Sequence, residues 1–292
     1  MCNRCSCSNH LTSNSPILIS NKIYRLLPFD QSHPLALNRI MPVIGLARNL
    51  NWLDESQYEE SSIASVDMLA RYHDIDYVEA VLSAENNRCI PVTLGKRYNL
   101  GRRGNSYFSK IFTRPATTAG ASILAGQLLA DNEEGVIFSL AGGNHHAKKN
   151  QASGFCIFND PVLGILSMLD NGLKKILYVD LDAHHGDGVQ EAFQHDDRVF
   201  AMSIHEKNRW PYTGKISERG LGNIRNLPVP KGLNDNEMSV LISEGVIPLG
   251  EEFEPDAVVI QSGADALLDD PQSQLSLSNQ ALWDAVRCLI KL

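Results

Sequence analysis

The chain predicts an α/β fold in which a parallel sheet carries helices on both faces. Three observations support this. Apolar, strand-like runs recur at 16–20, 135–140, 175–181, 198–204 and 257–262. Helix-periodic stretches such as Ala116 to Asp131 and Asp160 to Leu169 are interleaved with them. A length of 292 residues at 43% apolar content suffices for one large domain with a substantial core.

Taken in order, residues 1–15 form a Ser/Asn-rich start that holds Cys2, Cys5 and Cys7 and is expected to be disordered. Those thiols with His10 make up a donor set for a metal, but in such a tail they read as adventitious. The run at 16–20 opens a domain expected to extend over 16–292. Pro91 to Ser109, rich in Arg, Gly and Asn, reads as a long loop of the kind that often rims an active site. The helical pattern Ala116 to Asp131 precedes the strand-like Gly135 to Leu140, and Asp160 to Leu169 precedes the run ending at Leu181. After the runs at 198–204 and 257–262, Leu275 to Leu292 reads as a helix leading toward a further strand.

Charge and composition narrow the function classes. A net charge of -8 argues against a broad nucleic-acid footprint and favours a cationic partner, such as a lysine-rich tail or a polyamine. The pairs Arg102-Arg103 and Lys148-Lys149 are too short to form a basic arm. No apolar run approaches the length of a membrane span, and the N-terminus lacks a secretory pattern. Cys89, Cys156 and Cys288 are scattered and read as free thiols of a reducing compartment. A cytoplasmic location is expected, with the nucleus left open, and the oligomeric state cannot be read.

Three clusters carry chemistry. In Tyr178-Val-Asp-Leu-Asp-Ala-His-His-Gly-Asp-Gly188 a buried-strand pattern ends in three carboxylates and two imidazoles. Ligands of open parallel sheets bind at such strand ends. Alternation puts Asp180, Asp182 and His184 on one side, so Asp182 and His184 could grip a divalent ion. A catalytic zinc site usually has three protein ligands, and the third must come from elsewhere. Gly142-Gly-Asn-His-His-Ala-Lys-Lys149 places His145 and His146 just past another strand end, where paired imidazoles suit proton transfer. Val258-Val-Ile-Gln-Ser-Gly-Ala-Asp265 ends in a carboxylate that could be the missing ligand.

Together these blocks resemble the histone deacetylase family, zinc-dependent amidohydrolases that include acetylpolyamine and acetoin-utilisation deacetylases. The resemblance runs from about Asn21 to Leu292 through Gly142 to Cys156, Asp180 to Gly188, Met202-Ser-Ile-His205 and Gln261 to Asp265. Weaker echoes are His33-Pro34 with Arg39, and His73 to Tyr77. Trp210-Pro-Tyr-Thr-Gly214 and Asn226-Leu-Pro-Val-Pro230 are similar to the bacterial and class II-like branches.

The resemblance implies an arginase/deacetylase-like domain with its active site at the C-terminal strand ends. It implies one zinc held by Asp182, His184 and Asp265, and tandem catalytic histidines His145 and His146 backed by Asp180 and Asp187 respectively. His146 corresponds to the general base and acid, and His145 to an electrostatic element. Gly154 and Phe155 match an acyl-lysine tunnel, and Trp210 falls near its opposing wall. Asp180, Asp182, His184, Ser203 and the Ile204 carbonyl match a potassium site. The implied substrate is an acetylated protein lysine or an acetylated small amine.

One departure stands out. The family carries a Gly-rich, Tyr-bearing segment after the last ligand, whose hydroxyl stabilises the oxyanion. Here no Tyr follows Tyr212 and the chain stops at Leu292, so a C-terminally truncated domain is expected. Losing one oxyanion donor costs about 10² to 10³ in rate. Two outcomes stay open on this ground: a deacetylase of reduced activity, or an acyl-lysine or partner-binding module. An arginase-like ureohydrolase with two metals is the alternative within the fold.

Overall fold

The computed structural model describes residues 15–26, 39–132 and 134–292. Cys2, Cys5, Cys7, His10, His33 and Pro34 lie outside them.

The described residues form seven parallel strands: β1 (Ile17–Ser20), β2 (Tyr58–Glu60), β3 (Ile137–Phe138), β4 (Ile176–Asp180), β5 (Val199–Glu206), β6 (Ile224–Val229) and β7 (Ala257–Gln261). Hydrogen bonding divides them into two sheets, ordered β2-β1-β3 and β6-β5-β4-β7. The expected run at 135–140 contributes only Ile137 and Phe138 to pairing. β2 and β6 are strands that the apolar pattern does not announce. β2 is short and acidic, and β6 carries Pro228, which an edge strand tolerates.

Alternation along the central strands explains why helices cover both faces. Ile176 and Tyr178 of β4 point with Val199 and Ala201 of β5 into a core shared with Val162, Ile165 and Leu169 of the Asp160–Asp170 helix. Leu177 and Val179 point the other way, with Phe200, Met202 and Ile204, onto Met238, Ile242 and the Asn279–Leu289 helix through Leu282 and Leu289. Each fully buried side chain of this size contributes about 1.5–3 kcal/mol. The Thr113–Ala130 helix packs along the Asp160–Asp170 helix, where Ser167 donates to the Ile123 carbonyl at 2.9 Å.

Part of the expected Pro91–Ser109 loop is helical. Val92–Tyr98 forms two turns between Pro91 and a left-handed Asn99, because Leu94 and Tyr98 recur at helical spacing and pack on the core. Residues 99–109 remain irregular. Among the described residues no helix is long and apolar enough to cross a membrane.

The sheet register brings the site together. Asp180, the last residue of β4, lies beside Ser203 of β5 and Gln261 of β7. Three strand ends thus turn polar at one level, and the segments that follow converge there.

Candidate active site

The chain beyond β4 bends so that both its carboxylates and its imidazole turn inward. Asp180 Oδ1 accepts the Asp182 N–H at 3.1 Å, and Asp182 Oδ1 accepts the His184 N–H at 2.8 Å. Asp265, in the short turn after β7, accepts the Ala183 N–H at 3.0 Å. Asp182, His184 and Asp265 present ligand atoms that all lie within 4.8 Å of one another. His184 Nδ1 is 2.7 Å from Asp265 Oδ2 and 3.2 Å from Asp182 Oδ1.

One imidazole and two carboxylates form a donor set suited to zinc. The electrostatics agree with a cation site. Burial and the neighbouring Asp182 raise the Asp265 carboxyl despite His184. Burial would raise Asp182 too, but His145 and His184 hold it well below the usual carboxylate range. Burial would lower His184, but the two carboxylates push it up to about 9.

The tandem histidines form a continuous hydrogen-bonded chain. His145 Nδ1 is 2.7 Å from Asp180 Oδ2, its Nε2 is 2.9 Å from His146 Nε2, and His146 Nδ1 is 2.7 Å from Asp187 Oδ1. For every link to be made, one ring must carry two protons. His145 is that ring: burial disfavours its charge, but Asp180 and Asp182 outweigh burial and raise it to about 10. His146 is the neutral one, lowered to about 4 by burial and by the His145 charge despite Asp187. Burial would raise Asp187, but His146 and Lys148 bring it to about 2.

Both clusters face a cleft of about 650 Å³ whose lining also includes Gly154, Phe155 and Trp210. Trp210 stands edge-on to His146, with ring centroids 4.6 Å apart, and lies 6.2 Å from His184. Gly154 has φ +53°, and a Cβ there would lie 2.5 Å from both the His146 ring and the Trp210 indole. Phe155 follows with φ 66°, and its N–H is held by Asn105 Oδ1 at 2.9 Å. Of residues 99–109, Phe108 lines the cleft and Asn105 supports it through Phe155. Ser203 and Ile204 sit buried in β5, with Ser203 beside Asp180. Tyr212 is exposed and does not line the cleft.

Several positioning groups escape sequence reasoning, most because their partners are remote in the chain, and Tyr178 because its ring reads as part of the apolar strand. Tyr178 donates its hydroxyl to Asp180 Oδ2 at 2.7 Å. Gln261 donates to Asp182 Oδ2 and to the Gly143 carbonyl, both at 3.1 Å. Buried Asp160 accepts from Ser122 Oγ at 2.7 Å, the Asn144 N–H at 2.8 Å, Asn144 Nδ2 at 2.7 Å and the Gly143 N–H at 3.1 Å, anchoring the turn before His145. Lys148 Nζ reaches Asp187 Oδ2 at 2.7 Å.

The histone deacetylase domain profile matches residues 33–292. The chain belongs to the histone deacetylase family. It is 31% identical over 266 residues to the acetoin utilization protein AcuC of Bacillus subtilis, covering 89% of this chain and 68% of that protein. Similarity to histone deacetylase 6 of Arabidopsis thaliana is 34% over 274 residues, again 89% of this chain but 57% of the relative. The crystal structure of a histone deacetylase homologue from Aquifex aeolicus superimposes with a TM-score of 0.89 at 35% identity, over 95% of this chain and 76% of the homologue. A homologue complexed with SAHA gives a TM-score of 0.88 at the same identity. The fold is thus that of the arginase/deacetylase class, a parallel α/β architecture.

Proposed function

We propose that this protein hydrolyses the amide of an N-acetylated amine, acetyl-lysine in a protein or a related small amine, at one zinc held by Asp182, His184 and Asp265. The observation that carries this is the convergence of a three-residue donor cluster and a carboxylate-backed histidine pair on one cleft. When bound, zinc supplies Lewis acidity that polarises the amide carbonyl and acidifies water.

The chain's own residues do the rest. Asp187 fixes the His146 tautomer so that Nε2 carries no proton, and this nitrogen, on giving up its hydrogen bond from His145, takes the proton of the attacking water and returns it to the departing amine. Asp180 and its Tyr178 partner hold His145 as the charged neighbour that balances negative charge developing on the carbonyl oxygen. Phe155 and Trp210 suit the apolar stem of a lysine. A monovalent cation, potassium by its oxygen donors, is proposed at Asp180, Asp182, His184, Ser203 and Ile204; the pairing of Asp180 with Ser203 in the β4–β5 register supports this. We assign this chemistry to one catalytic domain spanning 16–292. Its free Cys89, Cys156 and Cys288 favour a cytoplasmic setting.

The test is turnover of an acetyl-lysine peptide by zinc-loaded protein, with SAHA affinity measured on the same preparation. Turnover that falls about 10² or more in His146→Ala, with zinc retained, supports the reading. Stoichiometric zinc and tight SAHA binding without turnover would make the protein an acyl-lysine-binding module instead.

A further inference from the structure

We infer that Lys148 is a positioning residue that sets the plane of the Asp187 carboxylate and, through it, the ring of His146. The inference rests on the reading of His146 as the proton carrier. Asp187 divides its two oxygens: Oδ1 receives His146 Nδ1 and Oδ2 receives the Lys148 ammonium, each at 2.7 Å. Lys148 also meets Glu191 Oε2 at 3.0 Å, one turn further along the Asp187–Phe193 helix. The ammonium therefore clips two carboxylates on one helix face.

Such a contact on an open surface would be worth little. This one is sheltered, with the Lys148 side chain 15% exposed and that of Asp187 10% exposed. Its base is also rigid. The Lys148 N–H donates to the Gln151 carbonyl at 3.0 Å, and its own carbonyl accepts from His73 Nδ1 at 3.0 Å. His73 Nε2 in turn accepts the Asn159 N–H at 3.0 Å, which fixes the proton on Nδ1.

The other histidine is held differently. Asp180 is completed by the Tyr178 hydroxyl and the Asp182 N–H, both neutral donors. Only the His146 side of the pair is tied to a lysine, so removing that charge should loosen one histidine and spare the other. A carboxylate with one oxygen unpartnered rotates, and a second-layer partner of this kind is worth roughly 10- to 100-fold in activity where it orients an essential imidazole.

The experiment compares wild type with Lys148→Met, which keeps the stem, and Lys148→Arg, which keeps the charge. Histidine-selective ¹⁵N labelling gives the hydrogen-bonded ring N–H signals, assigned by their loss in His145→Ala and His146→Ala. We expect the His146 Nδ1–H signal to exchange with water about tenfold faster in Lys148→Met, the His145 Nδ1–H signal to be unchanged, and Lys148→Arg to restore the first. In turnover, kcat should fall about tenfold with KM within about twofold, again restored by Arg. An unchanged His146 signal, equal loss of both signals, or a wild-type spectrum in which only His145 is protected would overturn the inference. Absence of turnover in wild type would sink the deacetylase reading alone, and the spectra would still decide the role of Lys148.

Discussion

Gly188→Ala tests how the His146 partner is held in place. Gly188 is the second residue of the Asp187–Phe193 helix, and its N–H donates to the His145 carbonyl at 3.0 Å. A methyl there would lie 2.5 Å from the His145 oxygen, 2.6 Å from the Ala147 oxygen and 2.7 Å from Asn159 Nδ2. None of these can yield easily, because the Asn159 amide donates to both carbonyls and caps the next helix through Val162. Retreat to 3.0 Å, below which Cβ contacts essentially do not occur, needs 3.0 minus 2.5, or about 0.5 Å of movement at the helix start. Overpacking of this kind costs about 1–3 kcal/mol. Weakening the Gly188 and Asn159 bonds adds about 1 kcal/mol, and the lower entropy of the unfolded chain returns about 0.4–1 kcal/mol. The net expectation is a loss of about 1–3.5 kcal/mol. It should be accompanied by lower turnover, because Asp187 moves with the helix. Urea unfolding, with Gly45→Ala as the control, measures it: Gly45 sits within the Ile40–Asn49 helix with nothing within 4 Å of an added Cβ. If Gly188→Ala matched the control in midpoint and slope, the close approach argued here would be refuted.

Burial lowers His73 to about 4 from an ordinary 6.5, despite the carbonyls of Lys149 and Lys148. The folded chain thus resists protonation and the unfolded chain does not, so this contribution is complete above pH 6.5 and is lost as pH falls toward 4, by about 3 kcal/mol in all. In His73→Asn the gap to wild type measured at pH 7 should shrink by that order at acid pH, and parallel pH dependences would contradict it. Asp160→Asn sets an amide donor among four donors and should cost about 2–3 kcal/mol, read in urea, with reduced turnover from a loosened Gly143–Asn144 turn. Stability within about 0.5 kcal/mol of wild type would mean that the buried carboxylate does not anchor that turn.

Why so much of the site is legible before folding has a physical cause. Each chemical block is contiguous and begins where an apolar strand stops: Asp180 to Asp187 after β4, and Gln261 to Asp265 after β7. Buried strands announce themselves by composition, and charge at their ends is conspicuous. What joins the blocks is not local. Gln261 meets Asp182 across 79 positions, and Asp180 meets His145 across 35. No spacing rule encodes such pairs, so the roles of Lys148, Gln261 and Asp160 emerge only from tertiary packing. The same limit applies to β2, whose Tyr-Glu-Glu pattern is acceptable only at an edge, and to Val92–Tyr98, where Leu94 and Tyr98 are overshadowed by polar neighbours.

Metal content tests the central claim most directly. Wild-type protein and the Asp182→Asn and Asp265→Asn variants, purified alike and freed of loose metal, are assayed for zinc by mass spectrometry alongside circular dichroism to confirm folding. The account predicts one zinc per chain in wild type and loss of zinc in both folded variants, because each removes one of the three proposed ligands Asp182, His184 and Asp265. Full zinc retention in both variants, or two transition metals at full occupancy in wild type, would contradict it.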